Sequence, residues 1–163
     1  LDWIQDDFPD GFDDKLHVNN YKIIGSKKIL LGRHINSDVF EREQGMTLYR
    51  GIQRELINAF VVEVDYKKPG YVYPKQLWYM DPETWAILAK KIYNGQGQLW
   101  KTMAVYTEMR DIGGGEVAMP MAYSLVDLIR RHGTLDIIGK TDIDSKLKRD
   151  STFSIRNLDR RSY

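Results

Sequence analysis

Chemistry in this chain has to come from carboxylates, lysines, three histidines and aromatic rings, because its 163 residues include no cysteine. That removes disulfides, thiolate nucleophiles and cysteine-based zinc sites, and leaves an oxidising compartment such as the periplasm open. His17, His34 and His132 are far apart in sequence and none has HxH or HxxxH spacing, so a metal centre is not expected. No serine lies in a GxSxG elbow, which leaves a hydrolase with little support. Glu63, Asp81 and Glu83 are the carboxylates that could pair as acid and base, yet Asp81 and Glu83 flank Pro82 and have a turn role there. Asp6, Asp10 and Gly11 resemble the start of a calcium loop, but Phe8 replaces a ligand and His17 stands where the closing glutamate belongs. Asp111 to Gly115 is glycine-rich without the strand-then-helix context of a phosphate loop and reads as a flexible turn. No complete catalytic set is present, so a chain that is not an enzyme and carries no cofactor is expected.

The side chains that are plentiful are apolar and aromatic, and they concentrate between Tyr71 and Met109. The runs YVYPKQLWYM, WAILAKKIY and QLWKTMAVYTEM read as three strands, broken by Asp81-Pro82 and Asn94-Gly95, which preset turns. Setting Met80 opposite Trp85 places Trp78 beside Ile87 and Leu77 beside Leu88. Setting Tyr93 opposite Gln98 then places Leu88 beside Met103 and Trp85 beside Tyr106. One face of this meander collects Trp78, Met80, Trp85, Ile87, Ala104 and Tyr106. The other collects Leu77, Tyr79, Leu88, Ile92, Leu99, Met103 and Val105. Both faces are apolar, so the sheet is expected to be covered on both by helices, a second sheet or an apolar ligand.

Trp78, Met80, Trp85, Ile87, Trp100 and Tyr106 are therefore the candidates to line a ligand cavity, with an ordinary core as the competing reading. Met80, Met103, Met109, Met119 and Met121 suit either, being adaptable fillers. The same register sets Lys75, Lys90 and Lys101 in one cross-strand row, either reaching water at the sheet end or holding an anionic head group.

Elsewhere, residues 1–18 form an acidic arm around Trp3, Phe8 and Phe12. Asn20 to Arg33 reads as a tight hairpin about Gly25-Ser26, and His34 to Arg50 as a loop. Phe60, Val62, Val64 and Tyr66 alternate with Glu63, Asp65 and Lys67, the pattern of a strand with one wet face. Lys67-Lys68-Pro69-Gly70 turns the chain. Leu125, Leu128 and Ile129, with Gly133 as a stop, predict a helix over 123–132. Phe153, Ile155 and Leu158 suggest a last strand in a basic, polar tail. No repeat or linker divides the chain, so residues 1–163 are expected to form one domain. The near balance of 24 basic and 23 acidic residues argues against a nucleic-acid binder. No run reaches the roughly 18 apolar residues of a spanning helix. The chain starts at Leu1 without a leader, so an export signal would have been removed or would lie outside it.

The stretch YPKQLWYMDPETWAILAKKIYNGQGQLWK, with VVEV at Val61 to Val64 and KIIGSKKIL at Lys22 to Leu30, resembles a family of secreted Gram-negative proteins of unknown function associated with outer-membrane lipoprotein sorting. Its members are similar to the lipoprotein carriers LolA and LolB. The resemblance implies a mainly β fold, a curved antiparallel sheet forming an unclosed barrel with one or two helices. It also implies that this chain corresponds to the C-terminal half of a larger domain. In function it implies a noncatalytic periplasmic carrier or sensor of lipid-like molecules or lipoprotein acyl chains, with an envelope exporter or outer-membrane protein as partner. A structural adaptor docking through a sheet edge or apolar face is the alternative.

Overall fold

The computed structural model describes residues 19–39 and 52–138. Seven strands follow one another in sequence and in space: β1 (Asn19–Leu31), β2 (Glu55–Tyr66), β3 (Lys75–Met80), β4 (Ile87–Tyr93), β5 (Leu99–Asp111), β6 (Glu116–Asp127) and β7 (His132–Ile137). Every neighbouring pair is antiparallel, and among the described residues β1 and β7 are the two edges of an open sheet. The only helical turn among the described residues is the short 3-10 segment Ser37–Val39. The mainly β, unclosed architecture expected from the sequence is thus present. The acidic arm, the last strand and most of the 34–50 loop lie outside the described residues.

Two local expectations are overturned. Asn19–Leu31 is one strand paired along the whole of β2, not a hairpin; Gly25, at φ 140°, follows a bulge at Ile24 instead of a reversal. Glycine inside a strand pattern fits a bulge as well as a turn, and the long partner decided between them. The helix expected over 123–132 is instead the end of β6, a turn, and the start of β7. Tyr123 and Leu125 are buried between β5 and β7, whereas Leu128 and Ile129 stand half-exposed in the turn. A strand covered on both faces shows no period of two, so a helix-like spacing survived by chance.

The register also differs. Leu77 faces Lys91 and Trp78 faces Lys90, three residues further along β4 than the turn chemistry suggested. The cause is the turn itself: Asp81 N donates to Ala86 O at 2.9 Å and Trp85 N to Asp81 O at 2.9 Å, so the reversal consumes Trp85, and a bulge at Leu88 follows. An odd slip exchanges faces. Trp78 therefore shares its face with Met103, Val105, Tyr123 and Leu125, while Tyr79 shares the other with Ala89 and Ala104. The expectation that both faces are apolar and buried stands; the membership of each is corrected.

Curvature follows from one contact. Gly32 lies one residue beyond β1, yet its carbonyl accepts the amide of Thr107 on β5 at 3.1 Å, and Ile35 N donates back to Thr107 O at 3.0 Å. In a flat sheet four strand spacings, about 19 Å, would separate β1 from β5. The sheet must curl until the continuation of β1 lies beside the part of β5 that β4 is too short to reach. The Tyr79 face is packed with small and medium side chains, Ala59, Val61, Leu88 and Ala89, while Tyr106 and Ala122 form a second cluster with Ile35 and Met121.

Candidate functional site

The Trp78 face carries the features from which a binding site can be built. Val62, Val64, Tyr66 and Trp78 form one buried cluster, with Met80 and Ile87 against it. Tyr73, Ile92, Met103, Val105, Tyr123 and Leu125 form the next. Where the two meet, an open groove of about 290 Å³ is lined by Ala86, Ile87, Val105, Thr107, Ala118, Pro120 and Tyr123. No charged side chain is in that lining. The groove lies where β6 bulges, with Met121 as the extra residue between the partners of Tyr106 and Thr107, and where Pro120 cannot donate to the ladder.

At the other end of β4–β6 a second, shallower cleft of about 440 Å³ is lined by Tyr71, Val72, Asn94, Gly95, Gln96, Trp100, Ile129 and Arg130. Its walls are rigid for identifiable reasons. Asn94 Oδ1 accepts the amides of Gln96 and Gln98, at 3.1 and 2.9 Å. Asp127, fully buried, accepts Trp100 Nε1 at 2.9 Å and the amides of Ile129 and Arg130 at 3.0 and 2.8 Å. One carboxylate therefore fixes both the indole and the turn facing it.

Two lysines are buried within this face. Lys101 places Nζ 4.7 Å from the ring centre of Trp100 and 5.4 Å from that of Tyr73, and donates to the Tyr73 hydroxyl at 3.3 Å. Lys90 lies 5.5 Å from the ring centre of Trp78. These are cation–π distances in a desolvated setting, where each such contact is worth about 2 kcal/mol. The Trp78 indole is itself anchored, donating to Gln76 Oε1 at 2.8 Å.

An ionic latch stands at the groove end of the sheet. Arg33 donates to Glu55 at 2.8 Å, to Asp81 at 2.9 Å and to Glu83 at 2.7 Å, tying the segment after β1 to the start of β2 and to the β3–β4 turn. Partial burial works against the guanidinium charge. The Glu55 hydrogen bond and the fields of Asp81, Glu55 and Glu83 outweigh it and raise its pKa. His34, at φ 51°, sits 3.2 Å from Glu55 and 3.5 Å from Glu83. This arrangement joins strand ends; among the described residues no cluster of metal-ligating side chains appears.

Residues 3–159 match the family described as "Protein of unknown function (DUF1329)". The chain belongs to this family. Solved structures repeat this DUF1329 chain's fold. A crystal structure from Vibrio parahaemolyticus named "putative outer membrane lipoprotein-sorting protein domain" aligns with a TM-score of 0.60 at 12% identity, over 90% of this chain and 50% of that one. A DUF1329 family protein from Desulfovibrio piger gives 0.58 at 15% identity, over 86% and 47%. A LolA superfamily protein from Nitrosomonas europaea gives 0.50 at 14%, over 86% and 51%. The chain thus spans about half the length of the structures it matches. A search of curated proteins gives no match.

Within this DUF1329 chain the six expected lining residues do not form one set. Trp78, Met80 and Ile87 adjoin, and Ile87 lines the groove. Trp100 is the extra residue of a bulge opposite Tyr93 and lines the other cleft. Tyr106 is buried on the opposite face beside Ile35 and Met121. Trp85 is 63% exposed, held at φ 61° in the turn and stacked on Phe60 with 5.5 Å between centroids. The lysine row is not formed: Lys75 pairs with Glu63 at 2.6 Å on the Tyr79 face, away from Lys90 and Lys101. The groove residues Val105, Thr107, Ala118, Pro120 and Tyr123 were missed as lining residues. Pro120, a proline in an apolar run, was the available signal for a strand irregularity.

Proposed function

We propose that this chain is a noncatalytic carrier or sensor module for lipid-like ligands in the periplasm, taking an acyl chain in the groove on the Trp78 face. The observation that carries the reading is that groove. It is apolar, uncharged, open to solvent, and at about 290 Å³ near the lower bound of small-molecule sites. Burial of an alkyl chain contributes about 0.8 kcal/mol per methylene, which suffices for binding without a dedicated polar group. The likeness in fold to a structure named for lipoprotein sorting and to a LolA superfamily protein supports the reading. Lipoprotein acyl chains are the natural cargo in it, and an envelope exporter or outer-membrane protein the natural donor or acceptor. The test is native mass spectrometry of the protein recovered from its own periplasm, beside an Ala118→Glu variant at a partly exposed groove position. Co-purified lipid that the variant loses supports the carrier; repeated recovery of clean apoprotein overturns it.

A second reading, an adaptor docking an envelope protein, is favoured by one feature. Ile23, Leu30 and Leu56 are well exposed on edge strand β1 and its neighbour β2, and the exposed Trp85 stacks on Phe60 of β2. An edge of 13 residues is a template for strand addition. Photo-crosslinking from position 23 in cells, yielding one reproducible protein adduct, would favour this reading over the carrier.

A further inference from the structure

The cleft between the Asn94–Gln98 turn and the β6–β7 turn has a chemistry different from the groove, and its occupant can be deduced independently of the carrier reading. Two aromatic rings, Tyr71 and Trp100, supply flat walls; Val72 and Ile129 supply apolar edges; Arg130 supplies the one charged group in the lining. Tyr71 is held in a chain of ring contacts, stacked on Tyr66 at 4.4 Å and edge-on to Tyr73 at 5.9 Å. Trp100 and Arg130 are positioned by the same buried Asp127. The site is therefore preorganised, which lowers the ordering cost that a ligand meets on binding.

Electrostatics selects among flat ligands. Lys101 is fully buried, does not line the cleft, and lies 4.7 Å from the Trp100 ring centre, so its ammonium occupies the inner side of the indole. That cation is already attracted by the π quadrupole. A second cation stacked on the outer side would compete with Lys101 for the same ring electrons, and a sugar's C–H face would gain less there than on an unengaged indole. A ring that is itself electron-rich or negatively charged meets the opposite condition. Arg130 then offers a planar fork to a carboxylate or sulfonate in the ring plane. No acidic side chain lines the cleft. The Asp127 carboxylate behind its wall is buried and committed to Trp100 Nε1 and the Ile129 and Arg130 amides, and it offsets the Lys101 charge, so the preference for an acidic group rests on Arg130.

We propose that this cleft binds a flat aromatic anion, of the aryl carboxylate or aryl sulfonate class, stacked on Trp100 and Tyr71 with its acidic group on Arg130. The probes are naphthoate, its neutral analogue naphthol, the aliphatic anion decanoate and a methyl glucoside. Each is titrated into the folded chain and followed by indole and amide chemical shifts. Naphthoate should saturate with shifts centred on Gly95, Trp100 and Ile129, and should bind at least about tenfold more tightly than naphthol, as loss of a charge-assisted bond implies. Arg130→Gln should abolish that preference while leaving the melting temperature unchanged, because Arg130 is exposed; Arg130→Lys should restore part of it. Trp100→Leu should weaken naphthoate and naphthol alike. Equal affinity for naphthoate and naphthol, tighter binding of decanoate or glucoside at these resonances, no saturable shift, or an unaltered preference in Arg130→Gln would each overturn the proposal. Loss of groove binding in Ala118→Glu, a groove position outside the cluster that backs the cleft, has no bearing on it, so the two sites fail separately.

Discussion

Arg33→Met is the substitution that most directly tests how the curled sheet is held. The guanidinium makes three contacts of unequal value. Those to Glu55 and Glu83 end on carboxylates that are 40% and 53% exposed, and such pairs contribute about 0–1 kcal/mol each. The contact to Asp81 differs, because its side chain is 1% exposed and removal of the partner leaves a buried carboxylate. Breaking a buried pair from one side costs about 3–5 kcal/mol. Asp81 keeps the Thr84 hydroxyl at 2.8 Å and the Glu83 amide at 3.3 Å, which moderates the loss. A net cost of about 2–3 kcal/mol is expected, or some 5–10 °C in Tm for a chain of this size. Urea unfolding gives the free energy, and amide exchange gives the location. Thr107 and Ile35, whose amides bond across the gap, should exchange faster in Arg33→Met than the amides at the centre of β2. Arg33→Met combined with Asp81→Asn should recover part of the loss. If Arg33→Met costs under about 1 kcal/mol, like an ordinary surface pair, or if Thr107 and Ile35 remain protected, the latch does not hold the curl.

Three further outcomes are expected. Gly32→Ala would put a methyl 2.4 Å from the buried Tyr106 ring, and the forced shift should cost about 1–3 kcal/mol in urea unfolding, with near-UV circular dichroism reporting the displaced tyrosine. Glu63 has its pKa lowered, first by its hydrogen bond with Lys75, so the pair stabilises the fold above the ordinary glutamate range and loses that contribution as pH falls through the lowered value. Glu63→Gln should therefore flatten the acid limb of a Tm-against-pH curve and leave the region above neutrality parallel to wild type; an unchanged acid limb refutes it. Asn94→Ala should cost about 0.5–1 kcal/mol, because the exposed Gln96 and Gln98 amides exchange the side-chain acceptor for water, and a loss above about 2 kcal/mol in urea unfolding would refute that exchange.

Where local chemistry alone decides structure, the sequence was readable. Asn94-Gly95 makes the turn expected of it, Ile112 to Gly115 closes the next one, and the alternation of Phe60 to Tyr66 is the second half of β2. Where partners remote in sequence decide, it was not. The helix over 123–132 and the hairpin at Gly25 both failed because pairing with β5 and β2 overrode a local pattern. The face assignment failed for a smaller reason: DPETW spends Trp85 inside the turn, and the resulting odd slip exchanged the faces of Ile92, Met103, Val105, Ala104 and Tyr106 relative to Trp78. The candidate site inherited that error. Ile87 stayed with Trp78 and Met80 because the bulge at Leu88 reverses the parity of β4 there, while Tyr106 lies on the opposite face. Lys90 and Lys101 were expected in one row with Lys75, which lies on the other face, and nothing in the sequence says that the ammonium groups of the remaining two lie against indole and phenol rings.

The bond between Gly32 and Thr107 also bears on how the chain reaches its native state. Each strand pairs with the next in sequence, so the sheet can be assembled by a series of short hairpin closures. The Gly32–Thr107 contact closes 107 − 32 = 75 residues, and made alone it would cost about 3.8 kcal/mol of chain entropy. It becomes accessible only after four hairpins have brought the two segments together, so it forms last. By then it reports on all of them, because a slip in any one of those ladders would carry Thr107 out of reach of Gly32. The closing contact is a checksum on strand register: chains that misalign early are left without it and return to the unfolded pool more readily.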